Sequence, residues 1–256
     1  MELLFFAAMM ALLAYVLYRN IVLVTRYRHN KEYIECYKLM LDNDDTALER
    51  INKYIETENS EEFKNKGRVL KIFQQLGNNE DAMAAVNELN LKEIFMKNGV
   101  ITKNQLSLNI DIFVWLYLSL ARARRLSKFD VLNGLHDKIN ELELDNRIEF
   151  QLANSIYNAL CEKEDAGVEF FTSMLEGTYK QYDYEKNLIG LYKRFSSSTL
   201  AYSGEPMDDF YKEDLHAFAK TAIGKVYMTD LEIYDKYPPI EDKTEEVTEE
   251  NKEEKE

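Results

Sequence analysis

The feature that most constrains this chain is an unbroken apolar stretch at its start. Residues 3–18 are sixteen consecutive uncharged residues, LLFFAAMMALLAYVLY, and the apolar character resumes at residues 21–24. At about 1.5 Å per helical residue, residues 3–24 extend roughly 33 Å, and the hydrocarbon core of a bilayer is about 30 Å thick. The sequence therefore predicts a transmembrane helix. Its large apolar side chains include Leu3, Leu4, Phe5, Phe6, Leu12, Leu13, Val16 and Leu17.

A cleaved signal peptide and a buried core helix are the alternatives for this stretch. A signal peptide needs a basic segment before the apolar run and a small-x-small cleavage site after it. Here Glu2 is the charged residue before the run, and Arg19 follows directly. A core helix that is apolar on every side needs structure around it, whereas the chain that follows is polar. We therefore expect an uncleaved signal anchor.

The orientation of this anchor follows from the charges that flank it. Arg19, Arg26, Arg28 and Lys31 follow the apolar start, and no basic side chain precedes it. Since basic flanks stay on the cytoplasmic side of a membrane, the rest of the chain is expected in the cytoplasm. The same basic cluster is also placed to contact anionic lipid headgroups.

The body of the chain, residues 30–237, shows the apolar spacing of amphipathic helices joined by short polar turns. Proline and glycine, which interrupt helices, number only three and nine in the whole chain. No alternating strand pattern bounded by turns is present, so we expect an all-α fold. Helices are predicted near 30–42, 45–57, 60–76, 78–90, 105–126, 128–142, 146–162, 164–177, 180–196 and 208–236, the last with a break at Gly224.

Two internal segments need separate interpretation. The run from Ile110 to Ala121 is the most apolar one in the body, but its twelve residues include Asp111 and are too few for a second span. It is expected to be a central core helix with Trp115 packed inside, or alternatively an interfacial segment that touches the membrane. Residues 196–199, a Ser-Ser-Ser-Thr run, are interpreted as a loop between helices.

Large and small residues recur at similar spacing in three places along the body. In each place a small residue in one helix accompanies large residues in that helix or its neighbour, as close helix packing requires. Ala47 and Ala82 occupy equivalent positions thirty-five residues apart. The repeat spacing is not maintained around Trp115. The positions expected to pack in this way are Ala47, Phe73, Gly77, Ala82, Tyr157, Ala166 and Phe170.

This pattern resembles the tetratricopeptide repeat, whose period is about 34 residues. The resemblance covers roughly half of the chain and is degenerate, and an unrelated array of packed helical hairpins remains the alternative. It implies an α-solenoid of helical hairpins whose concave face binds peptides or other proteins. The layout is also similar to bacterial membrane-tethered repeat adaptors such as the lipopolysaccharide assembly protein B family. That family has a CxxC metal-binding knuckle, which this chain lacks, so only the architecture is carried over.

Several classes of chemistry find no support in the sequence. The net charge of −14 argues against a nucleic-acid partner, which needs a basic face. The histidines at 29, 136 and 216 are isolated from one another, and Cys36 and Cys161 form no CxxC pair. No phosphate loop or nucleophile motif is present. We therefore predict no catalytic residue, no cofactor and no metal site, and we do not expect an enzyme.

The acidic end of the chain completes the predicted organisation. Residues 241–256 contain nine acidic and three basic residues and one aliphatic residue, Val247. Such a segment cannot bury enough apolar surface to fold, so a disordered tail is expected, acting as a solvating tail or as a docking motif for a basic surface. The predicted units are an anchor with its basic flank (1–29), a helical-repeat domain (30–237) and the tail (238–256).

These expectations converge on a membrane-tethered scaffold or adaptor that presents a helical-repeat surface to a protein or peptide partner in the cytoplasm. A regulatory subunit that acts on a membrane complex through its own span is the alternative. An enzyme without recognisable motifs is the third possibility. Exchanging residues 2–24 for an unrelated span would separate the first two, because only a span-dependent regulator needs the original sequence.

Overall fold

The structure is a computed structural model that describes residues 27, 30–97, 99–144, 147–161, 167–177, 186–205 and 208–240. This part is mostly helical, which confirms the all-α prediction. A two-stranded antiparallel hairpin, β1 (Met96–Lys97) and β2 (Val100–Ile101), is a small addition to the helices. The helices are α1 (30–41), α2 (Ala47–Thr57), α3 (Glu61–Gly77), α4 (Met83–Glu88), α5 (Leu91–Phe95), α6 (Lys103–Leu108), α7 (Ile110–Arg125), α8 (Phe129–Asn140), α9 (Ile148–Leu160), α10 (Val168–Glu176), α11 (Lys186–Tyr202), α12 (Asp209–Ala219) and α13 (Ala222–Asp230).

The membrane prediction concerns a part of the chain that lies outside these residues. Within the described ranges, every helix is too short or too polar to cross a bilayer. The predicted span at residues 3–24 lies outside the described residues, as do Arg19, Arg26, Arg28 and the acidic tail from residue 241. Lys31 is described, and it is exposed on α1.

Helix α7 is the centre of the fold, as its apolar sequence predicts. The side chains from Ile112 to Ala121 are all buried, and α7 packs against α3, α8, α9 and α13. Trp115 meets the rings of Tyr37 and Phe73 edge-on, with centroid distances of 5.8 and 5.0 Å. A helix with apolar residues on nearly all sides is stable only when other helices surround it.

Successive helix pairs are stacked in chain order. The first helices of four pairs contact one another in sequence, α3 with α7, α7 with α9 and α9 with α11, while α4 contacts α8. Within the pairs, α3 packs on α4, α7 on α8, α9 on α10 and α11 on α12. Each pair therefore buries its apolar face against its neighbours in the chain, which is how helical hairpins form one continuous core.

Helix α13 adds a contact that a linear stack does not need. It packs against α7, far away in sequence, and its Tyr227 ring lies edge-on to Phe195 of α11 at 4.7 Å. Tyr117 of α7 in turn lies 5.1 Å from Phe195. Helix α13 thus contacts α7 and α11, the first helices of two non-consecutive pairs.

Two predicted helices are shorter than expected because buried asparagines interrupt them. The helix predicted at 78–90 is reduced to α4, which ends before Asn90: the backbone N–H of Asn90 donates to Asn65 Oδ1 at 2.8 Å, and the Asn90 side chain caps α5 by accepting from the Lys92 N–H. The helix predicted at 105–126 is divided at Asn109, whose amide donates to the carbonyls of Ile94 and Gln105. Side chains that bond the backbone in this way compete with helical hydrogen bonds.

Two other local predictions were wrong. Residues 196–199 are not a loop but the middle of α11, and all four side chains are fully buried. The last long helix does not break at Gly224 but at Lys220 and Thr221, where the Thr221 hydroxyl caps α13 by accepting from the Gly224 N–H at 3.0 Å. Gly224 lies in the first turn of α13. This position requires glycine because a Cβ there would stand 2.0 Å from the carbonyl oxygen of Phe218.

Candidate functional site on helices α8 and α9

A row of polar side chains follows the seam between α8 and α9. On α8 the row contains Asn133, His136 and Asn140, and on α9 it contains Asn154 and Tyr157. The helical spacing puts each set on one face of its helix. The neighbouring face of α8 is apolar and fully buried, which fixes the direction in which the polar face points; it consists of Leu132, Leu135 and Ile139.

The rings of His136 and Tyr157 form the middle of this polar face. They are stacked, with centroids 3.6 Å apart and planes inclined by 3°. The Tyr157 hydroxyl donates to Asn133 Oδ1 at 2.8 Å. The Tyr157 ring is therefore held by two residues of α8, Asn133 and His136. The stacked pair is preformed, and the histidine in it is half-buried.

Two asparagine side chains flank the His136 imidazole. Nε2 lies 2.8 Å from Asn154 Oδ1, an atom that can only accept, so this contact uses Nε2 as the donor. The amide nitrogen of Asn140 lies 3.3 Å from Nδ1. The imidazole is thus held between an asparagine of each helix.

The environment of Tyr157 favours its protonated hydroxyl. Burial, with smaller contributions from Cys161 and from the charge of Asp137, raises the pKa of Tyr157. A hydroxyl that stays protonated can continue to donate to Asn133 at any ordinary pH. Tyr157 therefore contributes a fixed hydrogen-bond donor to the seam.

One end of the polar face carries an exposed aromatic ring beside a guanidinium group. Phe129, one turn before Asn133 on α8, is 48 % exposed. The Arg124 guanidinium lies 5.4 Å from its ring centroid, and Arg124 Nε donates to the carbonyl of Leu160 at 2.7 Å. An aromatic ring, a cation and a row of amides suit the recognition of a protein segment, because they supply apolar area and hydrogen bonds together.

The residues predicted to pack as repeats have different roles in the structure. Ala47, Phe73 and Ala82 are buried core residues. Phe170 is partly buried against the core, and Ala166 lies outside the described residues. Tyr157 is buried with the core, at 9 % exposure, and its ring also stacks on His136 of α8, a contact that its spacing in the sequence did not reveal.

Gly77 belongs to a second polar cluster, which the sequence did not indicate. A Cβ at Gly77 would lie 3.1 Å from Arg122 Nη1. The Arg122 guanidinium covers the Phe73 ring at 3.7 Å, and its Nε donates to Asp230 Oδ2 at 3.0 Å. Arg125 Nη2 forms an ion pair with Asp230 Oδ1 at 3.0 Å, although it is not aligned for a hydrogen bond. This cluster joins α3, α7 and α13.

The electrostatics of this second cluster reflect its burial. The Asp230 side chain is 1 % exposed, and its burial raises the pKa of the carboxyl, opposed by the two arginines. Burial likewise lowers the pKa of Arg122, which Asp230 opposes. An enclosed ion pair of this kind holds helices together and leaves little room for a ligand. We therefore regard the α8–α9 face as the candidate functional site.

In the described ranges, no three His, Cys, Asp or Glu side chains are grouped so as to hold a metal ion. Comparisons with protein families, with curated proteins and with solved structures find no match to this chain.

Proposed function

We propose that this protein is a membrane-tethered scaffold whose helical-repeat body binds a protein partner on the α8–α9 face. The observation that carries the proposal is the preformed row of amides and stacked rings along the seam. The His136 and Tyr157 rings are already fixed, so a partner loses little free energy in ordering them. Asparagine amides offer both a donor and an acceptor, which is what a peptide backbone requires.

The tether in this proposal rests on the apolar stretch at residues 3–24 and on the basic residues that follow it. The positive-inside rule supports a cytoplasmic body. The stacked helix pairs support an α-solenoid of tetratricopeptide-like hairpins. In such a fold the concave face is the usual binding surface, but here α13 packs between α7 and α11. This packing favours the α8–α9 seam as the binding surface instead.

Site-directed photo-crosslinking of the full-length chain in native membranes tests the binding surface. A photoreactive amino acid replaces Asn133 in one variant and the exposed Ala217 of α12 in the control. We expect a discrete adduct from position 133 that is lost when His136→Ala is added, and no such adduct from position 217. Equal adducts from both positions, or none from position 133, would contradict the proposed surface.

A pair of reporters tests the tether and its orientation separately. A reporter that is active only in the cytoplasm, fused after Glu256, should be active, and one that is active only outside should not. Exchanging residues 2–24 for an unrelated span should leave the crosslink at position 133 intact. Loss of that crosslink would favour a regulatory subunit that acts through its own span.

A further inference from the structure

The two faces of helix α1 differ in what covers them. The inward face carries Tyr33, Cys36 and Met40, which are 5 %, 0 % and 3 % exposed. Tyr37 on the same side contacts the ring of Trp115. This face is fixed in the core, so the orientation of α1 on the body is determined and its other face must point away.

The outward face of α1 combines two cations with an aliphatic side chain. Lys31, Ile34 and Lys38 lie at helical spacing and are all exposed, with Ile34 at 40 %. Glu35 at the edge of this face forms an ion pair with Arg50 of α2 at 3.3 Å, so its charge is partly compensated. The other acidic residue of the helix, Glu32, is half-buried.

The charge of this region is opposite to that of the whole chain. Residues 19–38 contain five basic residues (Arg19, Arg26, Arg28, Lys31 and Lys38) and two acidic ones (Glu32 and Glu35), a net charge of +3 in a chain of −14. Lys31 follows the end of the apolar stretch, Val24, by seven residues. A local positive charge of this kind, placed next to a membrane span, is attracted to the negative cytoplasmic leaflet.

We propose that the outward face of α1 lies on anionic lipid headgroups, with the Lys31 and Lys38 ammonium groups at the phosphates and Ile34 between them in the interfacial layer. This inference rests on the proposed membrane tether and adds a second contact with the bilayer. Lysine stems extend along apolar surface while their charges reach the headgroups. Each lysine near such a surface strengthens binding about fivefold. The contact would set the body, and its α8–α9 face, at a fixed orientation to the membrane.

The test uses the full-length chain reconstituted into lipid nanodiscs of phosphatidylcholine alone or of phosphatidylcholine with phosphatidylglycerol. Ile34→Cys, in a Cys161→Ser background, carries an environment-sensitive fluorophore, and Ala217→Cys provides the matched control position on α12. Cys36 is buried, and burial raises the pKa of its thiol to about 11, so it does not compete for the label. The measurement is fluorescence quenching by acrylamide, a neutral quencher that the lipid charge does not repel.

We expect quenching at position 34 to fall several-fold in the anionic discs, and this protection to disappear with Lys31→Glu and Lys38→Glu or at high salt. Quenching at position 217 should be the same in both discs. Equal quenching at position 34 in the two discs would overturn the inference, as would protection that ignores the charge reversal. A chain that fails to enter either disc would overturn the tether itself, and the inference with it.

Discussion

Two polar clusters between packed helices differ in how much water reaches them. The Asp230 cluster links α13 to α7 through Arg122 and Arg125, and the Asp230 side chain is only 1 % exposed. The α8–α9 face is built mainly from amides and aromatic rings, and Asn133 and Asn140 are exposed. The first cluster encloses a carboxylate, and the second exposes uncharged amides to solvent.

This difference separates a structural role from a binding role. A buried ion that loses its partner cannot be solvated, so each member of the Asp230 cluster depends on the others. An exposed amide that loses its partner bonds water instead, at little cost. Side chains on the α8–α9 face can therefore exchange an internal bond for a bond to a partner, whereas those of the Asp230 cluster cannot.

The largest expected effect comes from opening the enclosed cluster. Asp230→Ala leaves two guanidinium groups without their anion, and we expect it to lower the free energy of unfolding by about 3 kcal/mol. Urea denaturation, followed by the fluorescence of the single tryptophan, Trp115, measures the change. Trp115 is a suitable probe because it contacts Phe73, which Arg122 covers.

Asp209→Ala is the matched control, because Asp209 also forms an ion pair, with Lys212 at 2.7 Å, but its side chain is 96 % exposed. Its removal should leave the urea midpoint almost unchanged. If both substitutions shift the midpoint equally, burial is not what distinguishes the clusters.

A smaller effect is expected at the second enclosed contact between α11 and α13. Thr199 Oγ1 donates to the carbonyl of Phe195 at 2.8 Å, so the Tyr227 hydroxyl, also at 2.8 Å, must be the donor to Thr199. Burial raises the pKa of Tyr227, which agrees with a protonated donor. Thr199→Val leaves that buried hydroxyl without its acceptor and should cost about 1 to 2 kcal/mol.

Ser196→Ala is the control for this contact. The Ser196 hydroxyl is also buried in α11, but among the described residues it finds no hydrogen-bond partner. Its removal should be neutral or slightly stabilising in the same urea assay, because no bond is lost. A large loss of stability from Ser196→Ala would show that the hydroxyl has a partner.

The smallest effect on stability is expected on the α8–α9 face. Tyr157→Phe keeps the ring stacked on His136 but removes the hydroxyl that donates to the exposed Asn133. We expect a loss of about 0.5 kcal/mol or less, because water replaces the hydroxyl at Asn133. A stability loss comparable to that of Asp230→Ala would assign this face to the core.

The helices themselves were predictable because their apolar spacing acts locally. The helices at 47–57, 61–77 and 129–140 begin and end within two residues of the predicted bounds. The core helix from Ile110 was also expected, since no partly exposed surface accommodates so apolar a run. The interruption at Asn109 was not predictable, because it depends on the carbonyl of Ile94, which only the folded chain brings within reach.

The two polar clusters could not be predicted from local sequence either. Arg122 and Asp230 are more than a hundred residues apart in sequence, and nothing local marks either as the partner of the other. His136 and Tyr157 belong to different helices, so their stacking depends on how α8 and α9 meet. Residues 196–199 have the composition of a loop, yet they are buried in α11, where the hydroxyls of Ser198 and Thr199 donate to backbone carbonyls one turn earlier in the helix.

The sequence by itself determined the all-α class, the position of most helices and the central place of α7, since these follow from apolar spacing and from the scarcity of proline and glycine. The tertiary structure alone decided which polar groups are enclosed and which face water. Burial is a property of the whole packed chain: the same asparagine, histidine or aspartate stabilises the core or remains available to a partner according to which helix lies over it.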